Sequence, residues 1–170
     1  MNKLYLLKEM MYPIVNECIK KYGGGEAYFT EIDAMIKSND ILMSEYIQYI
    51  TEKENIYNVI LSGEIGMKYG YLWLSGHIPE HINLFVLPGG LRKNPNILDE
   101  IIKEEDCNCK EDTFLFLDDS YYSGRTLQAV NDYVQKAGCT LQNSYVFYDG
   151  SPLKNDNVYS LYRYYDNLEN

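Results

Sequence analysis

Cysteine, histidine, tryptophan and proline are all scarce in this sequence: among 170 residues there are 4 Cys, 2 His, 1 Trp and 5 Pro. The cysteines, Cys18, Cys107, Cys109 and Cys139, are too few and too scattered for a disulfide framework. Cys107-Asn108-Cys109 has no second pair and no nearby His, so it does not make a zinc site. Reduced thiols in a cytoplasmic protein are the expectation. Long apolar runs are missing too. Phe114 to Leu117 is typical of those present, far below the ~20 residues that span a bilayer. The first residues mix Lys3 and Lys8 into an apolar stretch with no small-residue cleavage site, unlike a signal peptide. Positive charge is the minority, 15 Lys+Arg against 25 Asp+Glu, and forms no stripe. That argues against nucleic-acid binding, which draws on Lys and Arg neutralising phosphates. A membrane partner is likewise not expected.

What is present is globular in kind: 46% hydrophobic and 24% charged residues, with no repeat or linker, over a length that suits one domain, 1–170. Tyrosine is abundant, 18 residues against 5 Phe. Of the net charge of −10, the window Asp99 to Asp119 holds nine acidic and two basic residues. Most of that window reads as a solvated face. Asp118 and Asp119 differ, because they follow an apolar strand.

Helical signals fill residues 1–55: a helix over 4–22 bent or started near Pro13, one opening at Thr30-x-x-Asp33 in the manner of a capping box, and one after Asn39. From residue 56 the pattern alternates. Strands are predicted at Ile56–Leu61, Ile82–Leu87, Thr113–Leu117 and Ser144–Tyr148, and helices after Gly66, from Asn94-Pro95 to Glu105, and over Thr126–Ala137. Such alternation predicts an α/β fold, a Rossmann-like parallel sheet flanked by helices, with an N-terminal helical extension (1–55), a core (56–150) and a remaining stretch, 151–170, for which the family resemblance given below implies a small hood. Ligands of such sheets bind at the carboxyl ends of the strands.

One segment carries the chemistry: Thr113-Phe-Leu-Phe-Leu-Asp118-Asp119-Ser120-Tyr121-Tyr122-Ser123-Gly124-Arg125-Thr126. A helix start offers unpaired N–H groups and a positive dipole end, Gly124 permits close approach of an anion, and Ser123 and Thr126 can donate hydroxyl bonds. Adjacent carboxylates can accept from vicinal sugar hydroxyls or lie near a divalent cation. Carboxylate pair beside phosphate cradle suits a sugar phosphate. A plain Asx-capped turn is the blander alternative. A receiver-like phosphoacceptor would leave too little chain downstream, and a P-loop is excluded by the lack of Gly-Lys-Ser/Thr.

The segment resembles the phosphoribosyl-pyrophosphate (PRPP) motif of the type I phosphoribosyltransferases. The resemblance implies that Asp118 and Asp119 bind the ribose hydroxyls, as the catalytic pair, and that Ser120, Tyr121, Tyr122, Ser123, Gly124, Arg125 and Thr126 form the 5′-phosphate loop. It further implies that Ser62, Gly63, Glu64 and Lys68, in Ser62-Gly-Glu-Ile-Gly-Met-Lys68, form the pyrophosphate loop. Mg²⁺, bound mainly through the ligand near Asp118 and Asp119, would be the cofactor. PRPP and a small-molecule acceptor would be the partners, with a homodimer left open. The implied reaction transfers the phosphoribosyl group to a ring nitrogen with release of pyrophosphate. The alternative is a non-catalytic relative that binds PRPP or a nucleotide as a regulator or subunit.

Three departures stand out. Tyr122 occupies the position where enzymes acting on 6-oxopurines carry Asp, Arg125 adds a cation to the phosphate loop, and only Pro88 to Lys93 remains for a lid. His77-Ile-Pro-Glu80-His81 matches a zinc-protease string, but Pro79 would break the helix that such a site needs. Tyr159, Tyr162, Tyr164 and Tyr165 are candidates to stack on a base, and Tyr46 and Tyr49 in the N-terminal helices are their rivals.

Overall fold

The computed structural model describes residues 2–91, 93 and 112–167. The helix expected over Asn94–Glu105, the Cys107/Cys109 pair and most of the acidic window lie outside the described residues.

Local capping sets the first helices. Asn2 accepts from the Leu4 N–H at 3.0 Å to open α1 (Lys3–Tyr22), and Gly23, left-handed at φ 68°, closes it. Pro13 sits inside α1 on its exposed side, where the carbonyl it leaves unbonded meets water. The next helix, α2 (Glu26–Ser38), begins a turn earlier than its Thr30 signal suggests. Thr30 donates to the Glu26 carbonyl at 3.0 Å, a bond made inside a helix, so Asp33 is a mid-helix residue rather than part of a cap. Asn39 caps α3 (Asp40–Glu54) through the Leu42 N–H at 3.0 Å.

Five strands follow: β1 (Asn58–Ser62), β2 (Asn83–Leu87), β3 (Thr113–Tyr121), β4 (Thr140–Asp149) and β5 (Val158–Arg163). They form one all-parallel sheet in the order β2-β1-β3-β4-β5. Helix α4 (Gly63–Leu74) leaves β1, and α5 (Arg125–Lys136) leaves β3. The α/β expectation is met.

Side-chain alternation on the central strands divides the molecule into two layers. Val59, Leu61, Leu115 and Leu117 share one core with α1 to α4, whereas Ile60, Phe114 and Phe116 pack with Ala129, Val130 and Val134 of α5. Much of the tyrosine surplus is spent in the first layer. Tyr28, Tyr46, Tyr69, Tyr145 and Tyr148 are each at most 2% exposed. Burial requires a partner for each hydroxyl. Tyr46 donates to the Val146 carbonyl at 3.1 Å, Tyr69 to the Met43 carbonyl at 2.9 Å, and Tyr28 and Tyr148 pair with each other at 3.2 Å.

The last connection is unusually short. Parallel neighbours ordinarily need a crossover of a dozen or more residues, yet residues 150–157 alone join β4 to β5. Asp149 accepts from the Ser151 N–H at 2.8 Å and pairs with Arg163 Nε at 3.2 Å, tying both ends of the turn-back together. Among the described residues, no helix is long and apolar enough to cross a membrane.

Candidate functional site

Strand order reverses between β1 and β3, and a crevice opens at their carboxyl ends, where such sheets bind ligands. A cavity of about 580 Å³ lies there, lined by the ends of β1 and β3, Gly89 and Gly90 after β2, and the start of α5. Twelve of the thirteen residues singled out by sequence line it: Ser62, Gly63, Glu64 and the unbroken run Asp118 to Thr126.

Two features differ from expectation. Strand β3 does not stop at Leu117 but continues through Tyr121, with Asp118 opposite Val146 and Ser120 opposite Tyr148 on β4. The carboxylates therefore stand on ladder-bonded backbone, and the loop before α5 shrinks to residues 122–124. The expected pyrophosphate loop is hardly a loop, because β1 ends at Ser62 and α4 starts at Gly63. A left-handed Gly63 (φ 59°) makes the switch, and its Cα lies so near Gly89 that an added Cβ would meet the Gly89 Cα at 3.4 Å.

Lys68 does not line the cavity. Its Nζ is 2.6 Å from Asp40 Oδ1 at the start of α3 and lies over the Tyr71 ring. One helical turn beyond Glu64, its side chain meets α3 instead of the crevice. The cation that does reach the β1 and β3 ends is Lys37 of α2, 2.7 Å from Glu64 Oε2 and 4.0 Å from Asp119 Oδ2. Burial alone would lower the Lys37 pKa, but the Glu64 hydrogen bond and the Asp119 charge more than offset it, and the net shift is upward. Glu64 is held below the usual carboxylate range by Lys37.

Asp33, one turn before Lys37, also lines the cavity. Neither residue was singled out by sequence, although a signal existed. Tyr28, Ile32 and Ile36 form the buried stripe of α2, and Phe29, Asp33 and Lys37 form the parallel stripe beside it. Phe29 meets Tyr122 edge-on at 4.8 Å, which sets that stripe against the β3–α5 connection. Tyr122 is driven above the usual phenol range, first by burial and then by the Asp33 charge.

The carboxylate pair is electrostatically unequal. Asp118 accepts from the Asp119 N–H at 3.0 Å, yet its carboxyl is pushed well above the ordinary range, first by burial and then by the Asp119 charge. Asp119 is 20% exposed and has Lys37 nearby. At the other end of the cavity, Gly124 (φ 74°) is the N-cap of α5, with no side-chain cap bond and no acidic residue in the first turn. The helix start is thus open to an anion. Tyr121 lies across Gly124, where a Cβ would come within 2.8 Å of its hydroxyl.

Other candidates fall elsewhere. His77 and His81 sit in the turns before β2, His77 against Ser75 and His81 against Tyr57, and no described cluster of three His, Cys, Asp or Glu could hold a metal. Tyr159 stacks on Tyr145 and Tyr162 on Tyr148 across the β4–β5 pair, and neither lines the cavity. Tyr164 and Tyr165 also lie outside it, as do Tyr46 and Tyr49.

No family model matches this chain, and no curated protein matches its sequence. Solved structures do. Adenine phosphoribosyltransferase from Saccharomyces cerevisiae, complexed with an imino-altritol bisphosphate and adenine, aligns with TM-score 0.51 at 14% identity, over 75% of this chain and 82% of that one. A purine phosphoribosyltransferase from Pyrococcus horikoshii aligns with TM-score 0.46 at 16% identity, over 71% and 80%. A hypoxanthine-guanine phosphoribosyltransferase from Bacillus anthracis aligns with TM-score 0.48 at 14% identity, over 77% and 80%. The chain has a phosphoribosyltransferase-like fold.

Proposed function

We propose that this protein is a phosphoribosyltransferase that binds Mg²⁺–PRPP in the crevice at the β1 and β3 ends and passes the phosphoribosyl group to a nitrogenous acceptor. One observation carries the reading: the Asp118–Asp119 pair and the uncapped start of α5 line one cavity, hydrogen-bond acceptors at one place and donors at the other. Asp118 and Asp119 accept hydrogen bonds from the ribose hydroxyls. The backbone N–H groups at the start of α5, with the Ser123 and Thr126 hydroxyls and Arg125, hold the 5′-phosphate. Asp33 and Lys37 of α2 border the crevice, so α2 takes the hood role that the family resemblance implies and that residues 151–170 were expected to fill.

Mg²⁺ fits the donor set. Adjacent carboxylates are the hard oxygen ligands it takes, one or two at a time and together with phosphate oxygens, and Asp118 and Asp119 would hold it jointly with the ligand. When bound it neutralises charge on the leaving diphosphate. The bond between ribose C1 and the diphosphate oxygen breaks, the bond from C1 to the acceptor nitrogen forms, and the acceptor's N–H proton leaves. The protein contributes positioning and charge complementarity rather than a nucleophile.

A regulator that binds PRPP without turnover is the second reading, favoured by one observation: Lys68 is committed to Asp40, leaving few cations for a departing diphosphate. Calorimetry with Mg²⁺–PRPP, followed by pyrophosphate release over a panel of bases, separates the two. Binding with release supports the enzyme, and binding without release for any base supports the regulator. No binding by the wild type, with Asp118→Asn/Asp119→Asn indistinguishable from it, refutes both.

A further inference from the structure

The Lys37–Glu64 pair joins α2 of the N-terminal extension to the first turn of α4, across the mouth of the crevice. Resting on the PRPP reading above, we infer that Glu64 is an internal stand-in for the ligand's diphosphate, and that Lys37 is the residue that selects a diphosphorylated sugar over its monophosphate.

The two partners are unequal in the way such an exchange needs. Lys37 is 23% exposed along its side chain, with its stem packed beside the buried stripe of α2, so its ammonium is placed by the fold. Glu64 is 82% exposed, and among the described residues its carboxylate bonds to Lys37 alone, so it can swing into water at little cost. An ionised carboxylate only accepts hydrogen bonds and cannot bind phosphate oxygens. A glutamate at the strand end where the diphosphate is to lie is therefore a competitor for the cation and not a ligand contact.

Charge points the same way. The cavity lining holds Asp33, Glu64, Asp118 and Asp119 against Lys37 and Arg125. Arg125 is at the start of α5, where the 5′-phosphate is expected, which among the described lining residues leaves Lys37 as the cation for the opposite end. An exposed carboxylate binds an ammonium weakly, by up to about 1 kcal/mol, so a doubly charged phosphate group displaces it. Discharge of Glu64 into solvent then frees Lys37 while its 4.0 Å approach to Asp119 keeps it over the ribose end. Ribose 5-phosphate, which has no group at C1 to reach Lys37, cannot make the exchange.

Calorimetric titration of the full chain with Mg²⁺–PRPP and, separately, with ribose 5-phosphate tests this in wild type, Lys37→Met, Lys37→Arg and Glu64→Gln. Loss of a charge-assisted bond weakens PRPP binding by about ten- to a hundredfold in Lys37→Met, with ribose 5-phosphate binding unchanged and Lys37→Arg partly restored. Glu64→Gln removes the competitor and tightens PRPP binding about two- to fivefold. Wild-type binding of PRPP that Lys37→Met leaves intact, or that Glu64→Gln weakens, overturns the inference while leaving the proposed function standing. Equal weakening of both ligands by Lys37→Met also overturns it. Should Lys37→Met fail to fold, the opposite signs expected of Lys37→Arg and Glu64→Gln still decide. Failure of the wild type to bind PRPP removes the proposed function itself, and this inference with it.

Discussion

Replacing Asp118 with Asn should stabilise the ligand-free protein while crippling its binding. Asp118 is mostly withdrawn from water and faces the Asp119 charge, and these two causes, burial first, raise its pKa well above the ordinary value. In the unfolded chain the same carboxyl ionises freely. For a carboxyl whose folded pKa is raised, no penalty exists at low pH, where it is protonated in both states. The penalty grows as pH rises past the unfolded value and saturates above the folded one. Holding an inadequately compensated charge costs on the order of 1–3 kcal/mol, and Asn keeps the shape and can still accept from the Asp119 N–H. For a chain of this size each kcal/mol moves the melting temperature by about 2–4 °C. Melting curves from pH 4 to 8 should therefore show Asp118→Asn level with wild type at the acid end and roughly 2–12 °C above it at pH 8. Saturating Mg²⁺–PRPP should reverse the order, since ligand at a hundred times its Kd adds about 2.7 kcal/mol to the wild type. A variant no more stable than wild type at pH 8, or one whose advantage is the same at pH 4, would refute the electrostatic account of the site.

Two backbone positions give further tests. A Cβ at Gly66 would lie 2.6 Å from Val86 Cγ1, where α4 packs on β2; Gly66→Ala should cost about 1–3 kcal/mol by denaturant melting, and trimming the neighbour in Gly66→Ala/Val86→Ala should recover most of it. Full stability in the single variant would show that the helix can slide off the strand. Gly124→Ala forces a side chain into left-handed backbone and against the Tyr121 hydroxyl at 2.8 Å. It should weaken PRPP and ribose 5-phosphate binding alike in calorimetry, because both ligands carry the 5′-phosphate; a selective loss of PRPP would place that phosphate elsewhere.

Strands β1 to β4 and helices α4 and α5 were legible because buried parallel strands are continuous apolar runs, as Thr113 to Leu117 shows, whereas β5, in the stretch expected to be a hood, mixes Tyr, Ser and Arg with apolar residues and was not. The run could not reveal that β3 goes on through Asp118 to Tyr121, since those residues are polar and owe their strand geometry to pairing with β4. Chemistry at the β3–α5 junction was readable as a contiguous string. Asp33 and Lys37 were not, because they reach the crevice only when α2 folds over it from more than 80 residues upstream. Lys68 illustrates the converse: its place in the string suggested the crevice, and the helix that begins immediately at Gly63 rotates it toward Asp40. The C-terminal tyrosines looked like candidates to stack on a base, whereas among the described residues the five largest fully buried side chains are tyrosines whose hydroxyls find partners.

Those hydroxyl contacts also bear on how the chain is made. Tyr12 meets Tyr162, Tyr28 meets Tyr148, and Tyr46 reaches Val146 and Tyr159, each across 100 or more positions. During synthesis the first three helices leave the ribosome well before β4 and β5, so the part of their apolar surface that packs on those strands waits for them. At roughly 5–20 residues per second, that wait lasts several seconds. Part of the surface of the N-terminal extension is thus buried only late, when the last two strands close against it.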